Sequence, residues 1–279
     1  MASVETKFEA HIRRYRDQAE KLKKSLKRRN LIRNPERLDA LFRQAPPLKP
    51  STCPSESGEE SYEWSYEVHD VALTLSGLRH PMPSGAAFCT GHGLLSCKVT
   101  EYFCPSRQNG VGGIMPIKSV ELNFVIQGKL DVDGASDALI ACWHVDTHST
   151  NTDKTAEELH VDVEGKTARE DNHALHPLFH YQFGGRKLRE AAPQVRGVLV
   201  LDAPRLPIPP LDLNLAIDFV VTNYAGANWQ ALRRDTQYAH PIRDSMRRIW
   251  GPYYACLASH FTQGPPTKPP AVFFMPDFL

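Results

Sequence analysis

The chain has 279 residues, 41% of them apolar and 23% charged, with 33 basic and 32 acidic side chains and a net charge of +1. That length suits one large domain or two small ones and can bury a core without disulfides or metals. The composition excludes disorder as the overall state and a uniformly basic or acidic partner surface. The average conceals an asymmetry, because residues 1–50 carry 14 basic and 6 acidic side chains and the remainder 19 and 26.

The first segment alternates charge with single apolar residues, so it lacks the continuous apolar run of a secretory signal. Phe8, Ile12, Tyr15, Ala19, Leu22 and Leu26 recur at spacings of four and three. This is the narrow stripe of a helix sustained for about three heptads. Between them lie nine arginines and lysines, from Arg13 to Arg29. The helix is expected to stop near Asn30. Asn34-Pro35-Glu36 then reads as a second start, with a capping oxygen, a proline at the first helical position and an acid in the first turn. The second helix should run to about Gln44. Residues 1–45 therefore read as a basic helical arm of two helices. Residues 46–60, rich in Pro, Ser and Glu, read as a linker, and residues 61–279 as the body.

From Tyr62 to Leu201 the pattern is one of strands. Candidates are Tyr62–Leu75, Leu94–Phe103, Lys118–Leu130, Ala138–His148, Glu158–Glu164, Leu178–Phe183 and Val195–Leu201. Turn residues separate them at Gln108-Asn109-Gly110, Asp133-Gly134 and Gly184-Gly185. Successive strands without long intervening helices predict antiparallel pairing, as a sheet or a sandwich. Four prolines between Pro204 and Pro210 form a stiff lead-in to a helix from about Pro210 to Tyr224. Asn228 can cap the next helix, which Pro241 would kink or break, and a proline-rich tail covers 261–279. The fold class is thus α+β: an N-terminal helical arm, a central antiparallel sheet or sandwich, and C-terminal helices packed on it.

No stretch approaches the 18 uninterrupted apolar residues of a membrane span; the best candidate, Leu211 to Val221, is interrupted by Asp212, Asn214 and Asp218. Six cysteines are spread without a C-x-x-C pair, which favours structural thiols in a reducing cytoplasm. The glycines Gly110, Gly112 and Gly113 do not match a phosphate-binding loop. The signatures G-x-S-x-G and H-E-x-x-H are absent as well.

Four places carry chemical vocabulary. In His173-Ala-Leu-His176-Pro-Leu-Phe-His180 and the residues after it, period-two alternation puts His176, His180 and Gln182 on one strand face. Two imidazoles about 13 Å apart along one strand do not share a metal unaided. They can bracket a substrate as base and acid in metal-independent phosphodiester cleavage, with Arg205 stabilising the anionic transition state. The simpler reading is the wet face of an edge strand. Cys142, His144, Asp146 and His148 likewise alternate onto one face. These are ligand types, and a transition-metal site would need this strand to lie beside His176 and His180. An antiparallel strand with one face in the core gives the same alternation, so no metal and no cofactor are assigned. On the helix 210–224, Asn214, Asp218 and Thr222 form a polar seam, with Arg205 as a candidate counter-ion for Asp218. Finally, Arg233, Arg234, Arg243, Arg247 and Arg248 outnumber Asp235 and Asp244 on the last long helix, and Arg243 and Arg247, one turn apart, suit contact with phosphate or carboxylate.

The leading expectation is a non-enzymatic accessory or adaptor subunit of a multi-protein assembly. It would dock through residues 4–29 onto another protein or a second copy, using Phe8, Ile12, Tyr15, Ala19, Leu22 and Leu26. The alternatives are the histidine-pair nuclease and a nucleic-acid-binding sensor that uses the arm and the last helix.

Overall fold

A computed structural model of the chain describes residues 3–39, 41, 46–50, 60–75, 87–105, 117–132, 135–147, 179–184, 206–225 and 228–262. Helix α1 spans Val4–Arg28. Ser3 caps it, its hydroxyl accepting the Thr6 N–H at 3.2 Å, and Glu5 and Arg28 complement the helix dipole at the two ends. Asn30, at φ 54°, closes it in the left-handed conformation that asparagine tolerates. The Leu31 N–H returns to the Leu26 carbonyl at 3.0 Å. The helix therefore stops where the sequence places its end.

Seven strands follow one another in a single antiparallel sheet whose spatial order is the chain order. They are β1 (Lys49–Pro50), β2 (Tyr62–Thr74), β3 (Ala87–Phe103), β4 (Ile117–Val132), β5 (Ala135–Thr147), β6 (Phe179–Phe183) and β7 (Leu206–Pro207). The α+β class holds, with an open sheet rather than a sandwich among the described residues. β4 and β5 pair antiparallel up to Val132 opposite Ala135; the expected turn at Asp133-Gly134 lies outside the described residues. The strand candidates 158–164 and 195–201 and the turn at 108–110 lie outside the described residues.

Alternation decides which face is covered. Trp64, Tyr66 and Val68 of β2, Leu95, Cys97 and Val99 of β3, and Val120, Leu122, Phe124 and Ile126 of β4 are all buried. Intervening residues such as Ser65, Glu67, Lys98 and Glu121 are exposed. The buried face receives α1 together with the C-terminal helices. These are α3 (Leu213–Tyr224), α4 (Asn228–Arg234), α5 (Thr236–Ser245), a π-helical turn (Met246–Trp250) and α6 (Gly251–Thr262).

The arm corrects one expectation. Phe8, Ile12, Tyr15, Ala19, Leu22 and Leu26 are at most 8% exposed, and all but Ala19 belong to the same core cluster as the sheet. At roughly 1.5–3 kcal/mol per fully buried large side chain, this burial fastens α1 to the body. The stripe was expected to be a seam for a partner; its partner is the chain's own sheet. After α1, residues 31–34 run along the edge of β2, with Arg33 N–H on the Ala72 carbonyl at 2.9 Å and Thr74 N–H on the Leu31 carbonyl at 3.0 Å. Asn34 spends its side chain on this junction, donating to the Asp70 carbonyl at 2.8 Å and accepting from Ala72 N–H at 2.7 Å. The short helix α2 (Glu36–Asp39) follows.

Pro241 does not break its helix. The break falls at Asp235, whose carboxylate caps α5 through Gln237 N–H at 3.0 Å and accepts from Ser25 at 2.5 Å and Arg28 at 2.8 Å. An interruption that satisfies three donors is favoured over one at a proline that satisfies none.

Candidate functional site

Two polar features stand out on the helical side of the sheet. The first is buried. Glu101 occupies a core-facing position of β3, in phase with Cys97, Val99 and Phe103, and is 2% exposed. Its carboxylate accepts from Tyr15 at 2.7 Å and from Arg248 Nη1 at 2.7 Å. Arg248 also bonds through Nη2 to Asp212 and lies over the Tyr15 ring, 4.3 Å from its centroid. Asp212 in turn caps α3, accepting Leu215 N–H at 2.8 Å. Tyr66 accepts Leu213 N–H at 3.2 Å. The π-helical turn supplies the extra residue that carries Arg248 to this position, a device common where a side chain must be aimed.

Burial sets the protonation of this cluster. It raises the Glu101 carboxyl well above the usual range, reinforced by the Asp212 charge. Asp212 is pushed up to about 6 by burial, against the hydrogen bonds that favour its ionised form. Burial draws Arg248 down to about 9. Two carboxylates share one guanidinium. Cys97 is a fully buried thiol beside this cluster, its pKa raised by burial, and it is inert. His11 lies in the neighbouring aromatic layer, 5.6 Å from Trp64 and 5.2 Å from Phe103 between ring centroids. Burial takes its pKa down to about 3, with Arg248 and Arg14 adding to the effect. These residues tie α1, β2, β3, α3 and the π-turn together. Their reach to solvent is small, and their role is to fix the packing.

The second feature is on the surface. α1 and α5 pack antiparallel: Gln18 donates to Asp244 at 3.2 Å, and Ser25, seven residues further along α1, meets Asp235, nine residues before Asp244. Two stretches that are far apart in sequence, and that the sequence marks separately as cationic, are thereby side by side. Between them runs a groove of about 370 Å³ lined by Arg13, Arg14, Asp17, Lys21, His240 and Asp244. Arg243 and Arg247 stand three residues beyond His240 and Asp244, on neighbouring positions of the same exposed helix side. Among the described residues, Arg13, Arg14, Lys21, Arg243 and Arg247 have no ion-pair partner.

The other sequence candidates fall as follows. Arg233 is engaged: its guanidinium meets Asp218 at 3.1 Å and lies over Trp229 at 5.4 Å. Asp218 also accepts from Tyr238 at 2.8 Å, so its counter-ion is Arg233, while Arg205 lies outside the described residues. Asn214, expected to aim a polar seam, is satisfied internally by Gln18 at 3.3 Å and Ser245 at 3.0 Å. His176 lies outside the described residues. His180 is placed by the backbone of β6, opposite Asp146. Glu101 and Asp212 were missed, and Arg248, expected among the contact cations of the last helix, is instead engaged with both of them. The available signal was an acid in phase with the apolar face of β3, at Cys97-Lys-Val-Thr-Glu101-Tyr-Phe103.

No helix among the described residues is long and apolar enough to cross a membrane. Comparison of the chain with protein-family models, with curated proteins and with solved structures finds no match.

Proposed function

We propose that this protein is a nucleic-acid-binding subunit that contacts its ligand along the exposed side of the α1–α5 pair. The supporting observation is the antiparallel pairing that gathers Arg13, Arg14 and Lys21 about one groove against Asp17 and Asp244, with the exposed Arg243 of α5 and Arg247 of the π-helical turn each three residues beyond a groove residue, His240 and Asp244. A helix of 25 residues is about 37 Å long, enough to follow several phosphates, and arginine and lysine side chains on such a strip neutralise a phosphate backbone without reading sequence. The N-terminal helix keeps its docking role in this reading, but through its charged outer side rather than its apolar stripe.

The test is fluorescence anisotropy of a labelled 20-base-pair duplex with the full chain. The comparison is a charge-reversed variant carrying Arg13→Glu, Arg14→Glu and Arg247→Glu. The variant should lose at least a hundredfold in affinity with an unchanged melting temperature. Equal affinity for both proteins refutes the proposal. No binding to nucleic acid by either, with tight salt-sensitive binding to a polyglutamate peptide, would instead identify an acidic protein as the ligand.

A further inference from the structure

The exposed side that carries Arg243 and Arg247 continues past them. α5, the π-helical turn and α6 form one continuous helical rod. Met246 and Gly251, at the two junctions, both keep right-handed helical angles, and the Gly251 N–H closes the π turn on the Met246 carbonyl. Along this rod Tyr238, Ile242, Ser245, Ile249 and Tyr253 are buried. On the opposite side His240, Arg243, Arg247, Gly251 and Tyr254 recur at spacings of three and four, and all are exposed. The only acid between Arg243 and Ala258 is Asp244, which is turned toward α1 and bonded to Gln18.

Tyr254 is 52% exposed, and it and Phe183 are the two large apolar side chains left in solvent among the described residues. A lone ring on a surface is ordinary. This one stands seven residues past Arg247, about 10 Å along the rod, in line with the arginines assigned to phosphates. The ring makes a T-shaped contact with the buried Tyr253, 5.2 Å between centroids and 75° between planes. Tyr253 in turn packs on Phe179 at 6.4 Å. The Tyr254 ring is thereby steadied from below, with a face left to solvent. Between Arg247 and Tyr254 lies Gly251, where a Cβ would meet nothing within 4 Å among the described residues beyond its neighbours in the chain. A flat base can therefore reach the Tyr254 ring over bare backbone.

Resting on the nucleic-acid reading above, we infer that Tyr254 stacks with an unpaired base, and that the ligand is a duplex with a single-stranded extension. Cations hold the backbone and an aromatic ring holds a base, because every base offers a π-face. A base paired inside a duplex keeps both faces covered by its neighbours, so only an unpaired one comes to the ring without the cost of unstacking. At about 3.4 Å per stacked nucleotide, a strand passes from Arg247 to Tyr254 in about three steps. The end of a blunt duplex does not supply this base, since its open face lies across the duplex axis and not in line with the phosphates.

The experiment compares, by anisotropy with the full chain, a blunt DNA duplex and the same duplex carrying four unpaired thymidines. The extension is on the 5′ end in one probe and on the 3′ end in another. One polarity should bind about 5–150-fold tighter than the blunt duplex, the range of a single base–aromatic stack. Tyr254→Ala and Tyr254→Leu should bring the extended duplexes down to the blunt-duplex affinity, whereas Tyr254→Trp should keep the gain. A fluorescent base analogue in the extension should be quenched by the parent and by Tyr254→Trp alone, a readout that a merely structural ring would not move. Equal affinity of the parent for blunt and extended duplexes overturns the inference and leaves the nucleic-acid reading in place. So does a gain that survives Tyr254→Ala. Failure of every probe to bind overturns both.

Discussion

Replacing Arg248 by methionine tests whether the buried cluster holds the helical layer to the sheet. The substitution removes the only guanidinium among the described residues that bonds to Glu101 and Asp212, which are 2% and 0% exposed. It also removes the contact with the Tyr15 ring. Stripping one partner from a buried ion pair costs about 3–5 kcal/mol, because the charge left behind has no compensation, and the ring contact adds about 1 kcal/mol. Proton uptake by Glu101, whose carboxyl is already raised by burial, returns part of this. The expected loss is about 4 kcal/mol, which for a chain of this length lowers the melting temperature by about 8 °C. Urea denaturation at pH 7 measures it. Adding Glu101→Gln should restore at least a third of the loss, since an amide needs no counter-ion and still accepts from Tyr15. A loss below 1 kcal/mol in Arg248→Met, or no recovery in the double variant, would refute the argument.

His11 should govern acid stability. Its folded pKa of about 3 lies below the ordinary histidine value, so the unfolded chain binds the extra proton between about pH 3 and 6.5 and stability falls as pH falls through that window. His11→Leu should therefore gain about 2 kcal/mol relative to the parent between pH 7 and pH 5, read from urea midpoints; a constant difference contradicts it. Asp212 acts in the opposite direction, its folded pKa of about 6 lying above the ordinary 3.8. The stability it contributes below about pH 4 is lost as pH rises through 6, and Asp212→Asn should remove that slope. At Gly93, a Cβ would lie 2.2 Å from Phe124 Cζ and 2.3 Å from Cε2. Gly93→Ala should destabilise by about 2–3 kcal/mol, and Phe124→Leu in the same chain should recover part of it. A neutral Gly93→Ala would show that the ring moves freely.

Local features of this fold were legible. The 4-3-4 spacing from Phe8 to Leu26 marks a helix and its buried side, and Asn30 marks its end. The alternation in Tyr62–Leu75 marks a strand and its buried face. What covers the stripe was not legible, because a narrow apolar seam is the same whether its partner is a helix of another chain or a sheet of its own. Proline alone misplaced the break near Pro241, since the competing cap at Asp235 draws its strength from Ser25 and Arg28, some 210 residues away. The same limit hides the cationic groove. Arg13 and Arg243 are each readable as exposed charges, but their juxtaposition is tertiary. The Arg248 network is harder still, for nothing in Met-Arg-Arg-Ile-Trp distinguishes the buried arginine Arg248 from the exposed Arg247. Only the acid at Glu101, in phase with a core face, announces that a buried cation is needed.

The salt dependence of binding tests the central claim most directly. Five free cations on the α1–α5 strip, each displacing a condensed counter-ion, give a slope of log K against log salt of about −4.5 on duplex DNA. Affinity should thus fall about 500-fold between 50 and 200 mM salt. Each of Arg13→Ala and Arg243→Ala should reduce the slope by about one. A slope flatter than about −1, or a slope that neither substitution changes, would contradict the assignment of this face to nucleic acid.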